Sequence, residues 1–179
     1  MRMRQFFVMV ALVGLCAPVQ AQQAAPAANP ADVQSVDAIL RALYDVISGD
    51  SGVSRDWNRF RSLFAPGAQL IPVGQRQAGP VSAQVLTPED YIRRAGPFLE
   101  RGFHEREIAR RQESYGRIVH AFSTYESRRR ASDAQPFARG INSIQLWHDG
   151  QRWWVQTILW WGETPETPIP EHYLRSGVH

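Results

Sequence analysis

Two apolar and aromatic segments in the last third of the chain constrain the fold more than any other feature. They span residues 136–148 and 151–161 and flank Asp149-Gly150. An Asp-Gly pair between such segments favours a two-residue type I′ turn, because both central residues of that turn need positive φ. The sequence therefore predicts an antiparallel hairpin. The hairpin carries five Trp side chains: Trp147, Trp153, Trp154, Trp160 and Trp161. These are too many for one face of a sheet, so we expect a cavity on one face and a partner on the other.

The first 21 residues have the pattern of an export signal. Arg2 and Arg4 precede an apolar run over residues 6–17, and small residues before Gln22 suit a signal peptidase. The run is shorter than the ~20 residues that span a bilayer. We therefore expect cleavage after Ala21 and a periplasmic or secreted protein without a membrane span; an uncleaved anchor is the alternative. Residues 22–31 are mainly Ala, Gln and Pro and predict a flexible segment.

Length, cysteine content and charge limit the function classes. Cleavage would leave 158 of the 179 residues, enough for one domain with a sizeable core. It would also remove Cys16, the only cysteine, and with it any disulfide or thiolate metal site. Without Arg2 and Arg4, 18 Arg remain against 17 acidic residues. This near balance argues against nucleic-acid binding, and a chain with no Lys has no Schiff-base chemistry.

Helical periodicity precedes the strands. Asp32 opens a first helix with an apolar stripe that reaches Ile47, Asp56 caps a short second helix, and Thr87 caps a third that Gly96-Pro97 should kink or shorten. Short strands are expected over residues 69–73 and 81–86, and a second hairpin over residues 103–114 and 117–127. The order predicts an α+β fold. We expect a cone-shaped roll, with about three helices on the concave face of a strongly curved antiparallel or mixed sheet.

The order of elements and three strand sequences carry a resemblance to a known superfamily. The strands are residues 122–128 (FSTYESR), residues 139–146 (RGINSIQL) and the Trp-rich last strand. From Ala31 to Trp161 the chain resembles the nuclear transport factor 2-like (SnoaL-like) superfamily, and within it the exported bacterial members of unassigned function. The resemblance implies one domain over residues 32–162 with an apolar pocket, followed by a Pro-rich tail over residues 163–179. The superfamily includes scytalone dehydratase, ketosteroid isomerase, polyketide cyclases and non-enzymatic modules, so fold does not decide function.

Alternation of side chains assigns the two faces of the last hairpin. With a two-residue turn at Asp149-Gly150, the more apolar set would line the concave pocket; it comprises Asn142, Ile144, Leu146, Trp153, Val155, Thr157 and Leu159. Asn142 and Thr157 would lie opposite each other inside. The other face mixes Trp with Gln and Ser, which is typical of a homodimer interface. A sheet with the two faces exchanged is the alternative.

A second set of polar residues suggests acid/base chemistry. A turn at Tyr115-Gly116 would bring Glu107 and His120 onto one face, unless a one-residue bulge shifts the register. Burial raises the pKa of a carboxyl group, and histidine titrates near neutral pH. Glu107 and His120 are therefore the candidate catalytic residues, with Asn142 and Tyr44 as donors to a developing oxyanion. Salt bridges to neighbouring Arg residues, and packing, are the structural alternatives for these side chains.

Three functional hypotheses follow. The first is an exported domain that binds an apolar or aromatic small molecule, with Tyr44, Asn142, Trp153, Val155 and Thr157 as ligand-binding residues. The second is a cofactor-free lyase or isomerase with Glu107 or His120 as the base. The third is a non-catalytic dimerisation module with a filled core. The spacing of the five His residues matches no metal motif, and no phosphate-binding loop or serine elbow occurs, so we expect neither a metal nor a cofactor.

Overall fold

The computed structural model describes residues 26–75, 79–175 and 177–178. The proposed signal over residues 1–21 lies outside them. The helices are α1 (Pro30–Val33), α2 (Val36–Ile47), α3 (Trp57–Leu63) and α4 (Pro88–Leu99), with a 3-10 helix over Glu171–Tyr173. The strands are β1 (Phe64–Gln75), β2 (Val81–Ala83), β3 (His104–Tyr115), β4 (Ile118–Arg128), β5 (Ala138–His148), β6 (Trp153–Gly162) and β7 (Gly177–Val178).

These strands form one mixed sheet, and the α+β fold class is confirmed. The strand order is β2-β1-β6-β5-β4-β3-β7. β1 runs parallel to β6 and β7 runs parallel to β3, whereas the other neighbours are antiparallel. Helices α2, α3 and α4 pack against one face of the sheet. We call this the helix-covered face, marked by Ala121, Ser123 and Ile144, and call the opposite one the outer face.

The helix starts follow local capping chemistry. Asp56 Oδ1 accepts from the Arg59 N–H at 2.9 Å, as the sequence predicts. Thr87 and Asp90 form a reciprocal capping box at the start of α4. The first predicted helix is divided in two, because Ser35 Oγ accepts from the Ala38 N–H at 3.1 Å and starts α2 anew. The sequence predicts that Gly96-Pro97 kinks or shortens the third helix; α4 is not shortened there, since it continues through Pro97 to Leu99.

One buried arginine fixes the ends of two helices that border the core. Arg55 is 6% exposed. Its guanidinium donates to the carbonyl oxygens of Ile47 at 2.9 Å and of Gly49 and Leu99 at 2.8 Å. These carbonyls follow or end α2 and α4, where no intrahelical donor remains to bind them. Arg55 thereby holds the two helix ends together over the sheet.

The β5–β6 hairpin has a longer turn than the sequence predicts. His148 pairs with Trp153, so four residues, not two, connect the strands. Asp149 Oδ1 accepts from the N–H groups of Gln151 at 2.7 Å and Arg152 at 2.8 Å, which stabilises this wider turn. A bulge then shifts the register between the Leu146–Val155 and Gln145–Thr157 pairs.

The bulge changes the predicted faces of β6. Beyond it, Ile158 pairs with Ile144 and Trp160 with Asn142, so both lie on the helix-covered face. Thr157 and Leu159 lie on the outer face, where the sequence predicted the reverse. The predicted opposition of Asn142 and Thr157 is therefore wrong. An extra residue in one strand inverts every side chain that follows it.

The β3–β4 hairpin also contains a bulge. Tyr115 pairs with Ile118, so the turn is Gly116-Arg117, and Gly116 has the positive φ of 56° that such a turn requires. The register then shifts between Glu107 and Ala109. Glu107 consequently pairs with Tyr125 rather than with the predicted Thr124. Odd-numbered residues of β3 before Ile108 face the helices, and those after it face outward.

The segment after β6 crosses the outer face. The Glu163 carboxylate pairs with Arg139 at 2.8 Å. The Tyr173 ring lies on Phe122, with ring centroids 5.0 Å apart, and its carbonyl accepts from Thr124 Oγ1 at 2.6 Å. β7 then pairs with the edge of β3. This segment therefore covers part of the surface that the sequence predicts to be a homodimer interface.

Candidate functional site

A cavity of about 240 Å³ lies between α2, α3, α4 and the helix-covered face of the sheet. Eight aromatic side chains line it: Tyr44, Phe60, Tyr91, Phe98, Phe103, Tyr125, Phe137 and Trp160. The Tyr91 ring stacks on Phe60, with centroids 5.4 Å apart and planes 13° apart, and meets Trp160 edge-on. Aliphatic side chains complete the wall. The cavity is thus an aromatic and apolar chamber with few polar groups.

The carboxyl group in this chamber belongs to Glu105, which the sequence analysis did not select. Ser48 Oγ accepts from the Glu105 backbone N–H at 2.9 Å and so ties this end of β3 to α2. Ser127 Oγ donates to Glu105 Oε2 at 2.7 Å. Burial raises the pKa of Glu105 to about 7, and the hydrogen bond from Ser127 opposes the rise. Glu105 can therefore gain or lose a proton near neutral pH.

Two phenols share the cavity with Glu105. Burial raises the pKa of Tyr91 and Tyr125 well above the ordinary value, and the nearby Glu105 charge adds to the rise. Within the described ranges, neither hydroxyl has a hydrogen-bond partner. A Cβ at Gly140 would lie 2.4 Å from Tyr125 Oη, so glycine provides the room for this phenol. Both hydroxyls are protonated groups that can donate to a ligand.

A relay of hydrogen bonds leads from the cavity wall to Glu107. Ser123 Oγ donates its one proton to Glu107 Oε1 at 2.6 Å, so Tyr44 Oη must be the donor in its 2.6 Å contact with Ser123 Oγ. Asn142 Nδ2 donates in turn to Tyr44 Oη at 3.0 Å. Burial raises the pKa of Tyr44 far above its usual range. The relay ends at Arg110, whose Nε lies 3.0 Å from Glu107 Oε1.

The predicted convergence of Glu107 and His120 is wrong. Glu107 lies on the helix-covered face, where it pairs with Arg110 and binds Ser123. His120 lies on the outer face, with Nε2 3.0 Å from Ser143 Oγ. The physical reason is the bulge at Ile108, which turns Glu107 inward while His120 stays on the outer side. An acid/base pair of these two residues is therefore excluded.

The other predicted ligand residues divide between the cavity and the rest of the sheet. Tyr44 and Asn142 line the cavity. Val155 is fully buried in the core, and Trp153 packs against the core beside His148. Thr157 is on the outer face, opposite Gln145. None of these last three lines the cavity.

The sequence offered little that could have identified Glu105, Tyr91 and Tyr125. Glu105 and Glu107 alternate in one strand, and the sequence-based register paired Glu105 with Glu126. The observed partner is Ser127. A short polar residue such as Ser127 opposite a carboxylate can indicate a hydrogen-bonded, inward-facing carboxyl group. This signal is visible only when the position of the bulge is known, because the bulge decides which residues are opposite each other. Tyr91 lies on a helix, and its distance from Glu105 depends on how α4 packs over the sheet.

A second, polar cleft of about 700 Å³ adjoins the cavity. Glu105 and Tyr44 line both. The cleft contains most of the charged side chains of this region: Asp37, Arg41, Asp45, His104, Arg106, Glu107, Arg110, Arg128 and Asp133. Glu105 thus stands at the boundary between an apolar chamber and a charged one. Solvent in the cleft could exchange protons with its carboxyl group.

The described part of the chain contains no group of three or more His, Cys, Asp or Glu side chains that could hold a metal ion. Among its helices, none is long and apolar enough to cross a membrane.

Similar folds occur among solved structures. The chain matches no protein-family model and no curated protein. It is similar to an NTF2-like protein of unknown function from Methylobacillus flagellatus KT, with a TM-score of 0.46 and 12% identity over 73% of this chain and 95% of the other. A second such protein, from Silicibacter pomeroyi DSS-3, has a TM-score of 0.45 and 12% identity over 73% of this chain and 94% of the other. A third, from Shewanella baltica OS155, has a TM-score of 0.43 and 13% identity over 73% of this chain and 98% of the other. These are likenesses of fold, and none extends to a ligand or a reaction.

Proposed function

We propose that the protein binds a small apolar or aromatic molecule in the cavity between the helices and the sheet. The observation that carries the proposal is the aromatic lining around the Glu105 carboxyl group and two phenols, Tyr91 and Tyr125, whose hydroxyls have no hydrogen-bond partner among the described residues. Protein interiors are close-packed, and voids larger than a water molecule are few. The chamber of about 240 Å³ is slightly smaller than the ~300–1,000 Å³ of common ligand pockets, and it shares their apolar lining with a few polar groups for orientation, which suits a small ligand. It also argues against a dimerisation module with a filled core.

The test is a matched pair of cavity and surface variants. Ala95 lines the cavity from α4, so Ala95→Phe should fill it and weaken binding of a neutral probe, 2-naphthalenemethanol, by at least about tenfold. Val85 is 60% exposed and outside the lining, and Val85→Phe should leave the affinity unchanged. Calorimetric titration measures both. Equal binding by the two variants, or no binding by the unaltered protein, would overturn the proposal.

A second candidate function is cofactor-free lyase or isomerase chemistry, with Glu105 as the proton-transferring group. A carboxyl group whose pKa is about 7 suits general acid/base catalysis near neutral pH. Tyr91 or Tyr125 would donate to the oxygen of a substrate carbonyl as negative charge develops there. With a β,γ-unsaturated ketone as substrate, Glu105 would remove a proton from the carbon next to the carbonyl. Its carboxyl group would then return that proton to the distal carbon of the resulting dienolate, so that the double bond moves and the carboxylate is regenerated. This arrangement replaces the Glu107 and His120 pair expected from the sequence.

Deuterium exchange tests this chemistry directly. We expect the protein to accelerate exchange of the α-protons of 2-tetralone in D₂O, as followed by NMR. Glu105→Gln should abolish the acceleration and leave 2-tetralone binding intact, because the amide cannot accept the proton. Glu107→Gln should retain it. Equal exchange with and without protein would remove this candidate while leaving the binding function standing.

Export and self-association belong to the same proposal. The basic and apolar pattern of residues 1–21 supports export to the periplasm or the medium. The partly exposed side chains of Trp147, Trp154 and Trp161 on the outer face support a homodimer. Fractionation of cells that express the full chain, with N-terminal sequencing of the product, tests the first. Loss of residues 1–21 from an exported product is the expected result.

A further inference from the structure

We propose that the ligand of the cavity carries a positively charged amino group, which Glu105 binds inside the aromatic lining. This inference rests on the binding function proposed above and adds the chemical class of the ligand to it. It depends on three features: the sign of the charge in the cavity, the absence of a partner for that charge, and the aromatic walls.

The cavity presents one kind of charge. Among the described residues, no Arg or His lines the cavity, and the acidic member of the lining is Glu105. Tyr44, Tyr91 and Tyr125 stay neutral, because burial raises the pKa of each phenol. Inside the lining, an anionic ligand would therefore meet a carboxyl group and no cation, because Arg129 lies at the rim against Phe98 and Phe137. A cationic ligand would meet its counter-charge.

Most of the Arg side chains near Glu105 are paired with other acids. From the cleft side, His104 Nε2 lies 2.9 Å from Asp50 Oδ1, and Arg110 pairs with Asp37 at 2.8 Å and with Glu107 at 3.0 Å. Arg106 and Arg128 both bind the Glu126 carboxylate. Arg41 is exposed on α2.

In the described ranges, Glu105 has no salt bridge of its own, and its side-chain partner is the neutral Ser127. An ionised carboxylate in such surroundings is costly unless a cation joins it. A bound ammonium group would supply the missing charge. The phenol oxygens of Tyr91 and Tyr125 in the same cavity can accept further N–H hydrogen bonds.

The aromatic walls favour the same ligand class. The negative faces of aromatic rings attract cations, and desolvated cases are the strongest. Two rings of the lining already bind a cation at the rim: the Arg129 guanidinium lies 4.5 Å from the Phe98 centroid and 4.4 Å from that of Phe137. Inside the cavity, Tyr91 and Tyr125 lie close enough to Glu105 for its charge to raise the pKa of both phenols, and Trp160 adds a further ring to the lining. A carboxylate within an aromatic enclosure is the usual chemistry of amine recognition.

Three naphthalene probes of nearly equal size separate the ligand classes: 2-naphthylmethylamine, 2-naphthalenemethanol and 2-naphthoate. We expect the full chain at pH 8 to bind the amine at least about tenfold more tightly than the alcohol, and the naphthoate least. Glu105→Gln should remove the preference for the amine and leave the affinity for the alcohol within about twofold. Retained alcohol binding shows that the variant is folded and its cavity intact.

Glu113→Gln is the matched control. It makes the same substitution on the same strand, at an exposed position outside the cavity, and should keep the full amine preference. Alcohol binding as tight as that of the amine would overturn the inference and leave the binding function in place. An amine preference that survives Glu105→Gln would also overturn it. Absence of binding by all three probes would contradict the binding function itself.

Discussion

Ser127 Oγ donates a 2.7 Å hydrogen bond to Glu105 Oε2 between paired positions of β3 and β4. Burial favours the protonated carboxyl group, whereas this hydrogen bond favours the carboxylate. The two effects together place the pKa of Glu105 at about 7. A single serine hydroxyl therefore helps to decide whether the cavity is charged at neutral pH.

Ser127→Ala should raise the pKa of Glu105 above about 7, because the variant loses a donor that stabilises the charged form. An NMR titration of the Glu side-chain carboxyl carbons measures the change. Ser114→Ala, an exposed serine of the same hairpin, is the control and should leave the titration unaltered. An unchanged or lower pKa in Ser127→Ala would show that the hydrogen bond does not tune the carboxyl group.

The folded protein should lose stability as pH rises through the range set by Glu105. The pKa of its carboxyl group is about 7 in the fold and 4.5 ordinarily, so the folded state binds more protons between these values. The free energy of unfolding should therefore fall between about pH 4.5 and pH 7 and level off above. The titration of Glu105 should lower the free energy of unfolding across this range by on the order of a few kcal/mol.

Glu105→Gln isolates this contribution, since glutamine does not titrate. Urea denaturation at several pH values, in the unaltered protein and in the variant, gives the difference directly. We expect the difference in the free energy of unfolding between the unaltered protein and the variant to change between about pH 4.5 and pH 7 and to be constant above pH 7. A constant gap throughout would mean that Glu105 titrates alike in the folded and unfolded chain.

Tyr44→Phe should destabilise the fold by about 1–3 kcal/mol, because it leaves buried polar groups without a partner. The lost hydroxyl accepts from Asn142 and donates to Ser123, which is fully buried. Chemical denaturation measures the loss. Tyr115→Phe removes the same atom from a side chain that is 84% exposed and should be neutral. Equal stability of both variants would contradict the relay.

Leu159→Glu should convert the proposed homodimer into a monomer. Leu159 lies on the outer face and is 39% exposed, so a charge there would be desolvated in an interface without a partner. Light scattering after gel filtration measures the mass. Val53→Glu, at a 52% exposed position on the α2–α3 connection, should leave the mass unaltered. A monomeric unaltered protein would contradict the interface.

The sequence by itself determined the order and type of the main helices and strands, and with them the class of fold. Asp56 and Thr87 cap helices at the predicted places, because capping depends on one side chain and the backbone a few residues away. The two long hairpins likewise follow from local alternation and turn residues. Chemistry that acts over a few residues is visible in a sequence.

Tertiary structure alone decided which side chains share the cavity. Bulges near Ile108 and Gln156 each add one residue to a strand and invert the faces beyond it. Because of these bulges, Thr157 lies on the outer face and not in the cavity. The carboxyl group in the cavity is that of Glu105, and the expected pair of Glu107 and His120 does not form. Tyr91 joins the site only because α4 packs over the sheet. The position of a bulge depends on packing between elements distant in the chain, and no local pattern in the sequence encodes it.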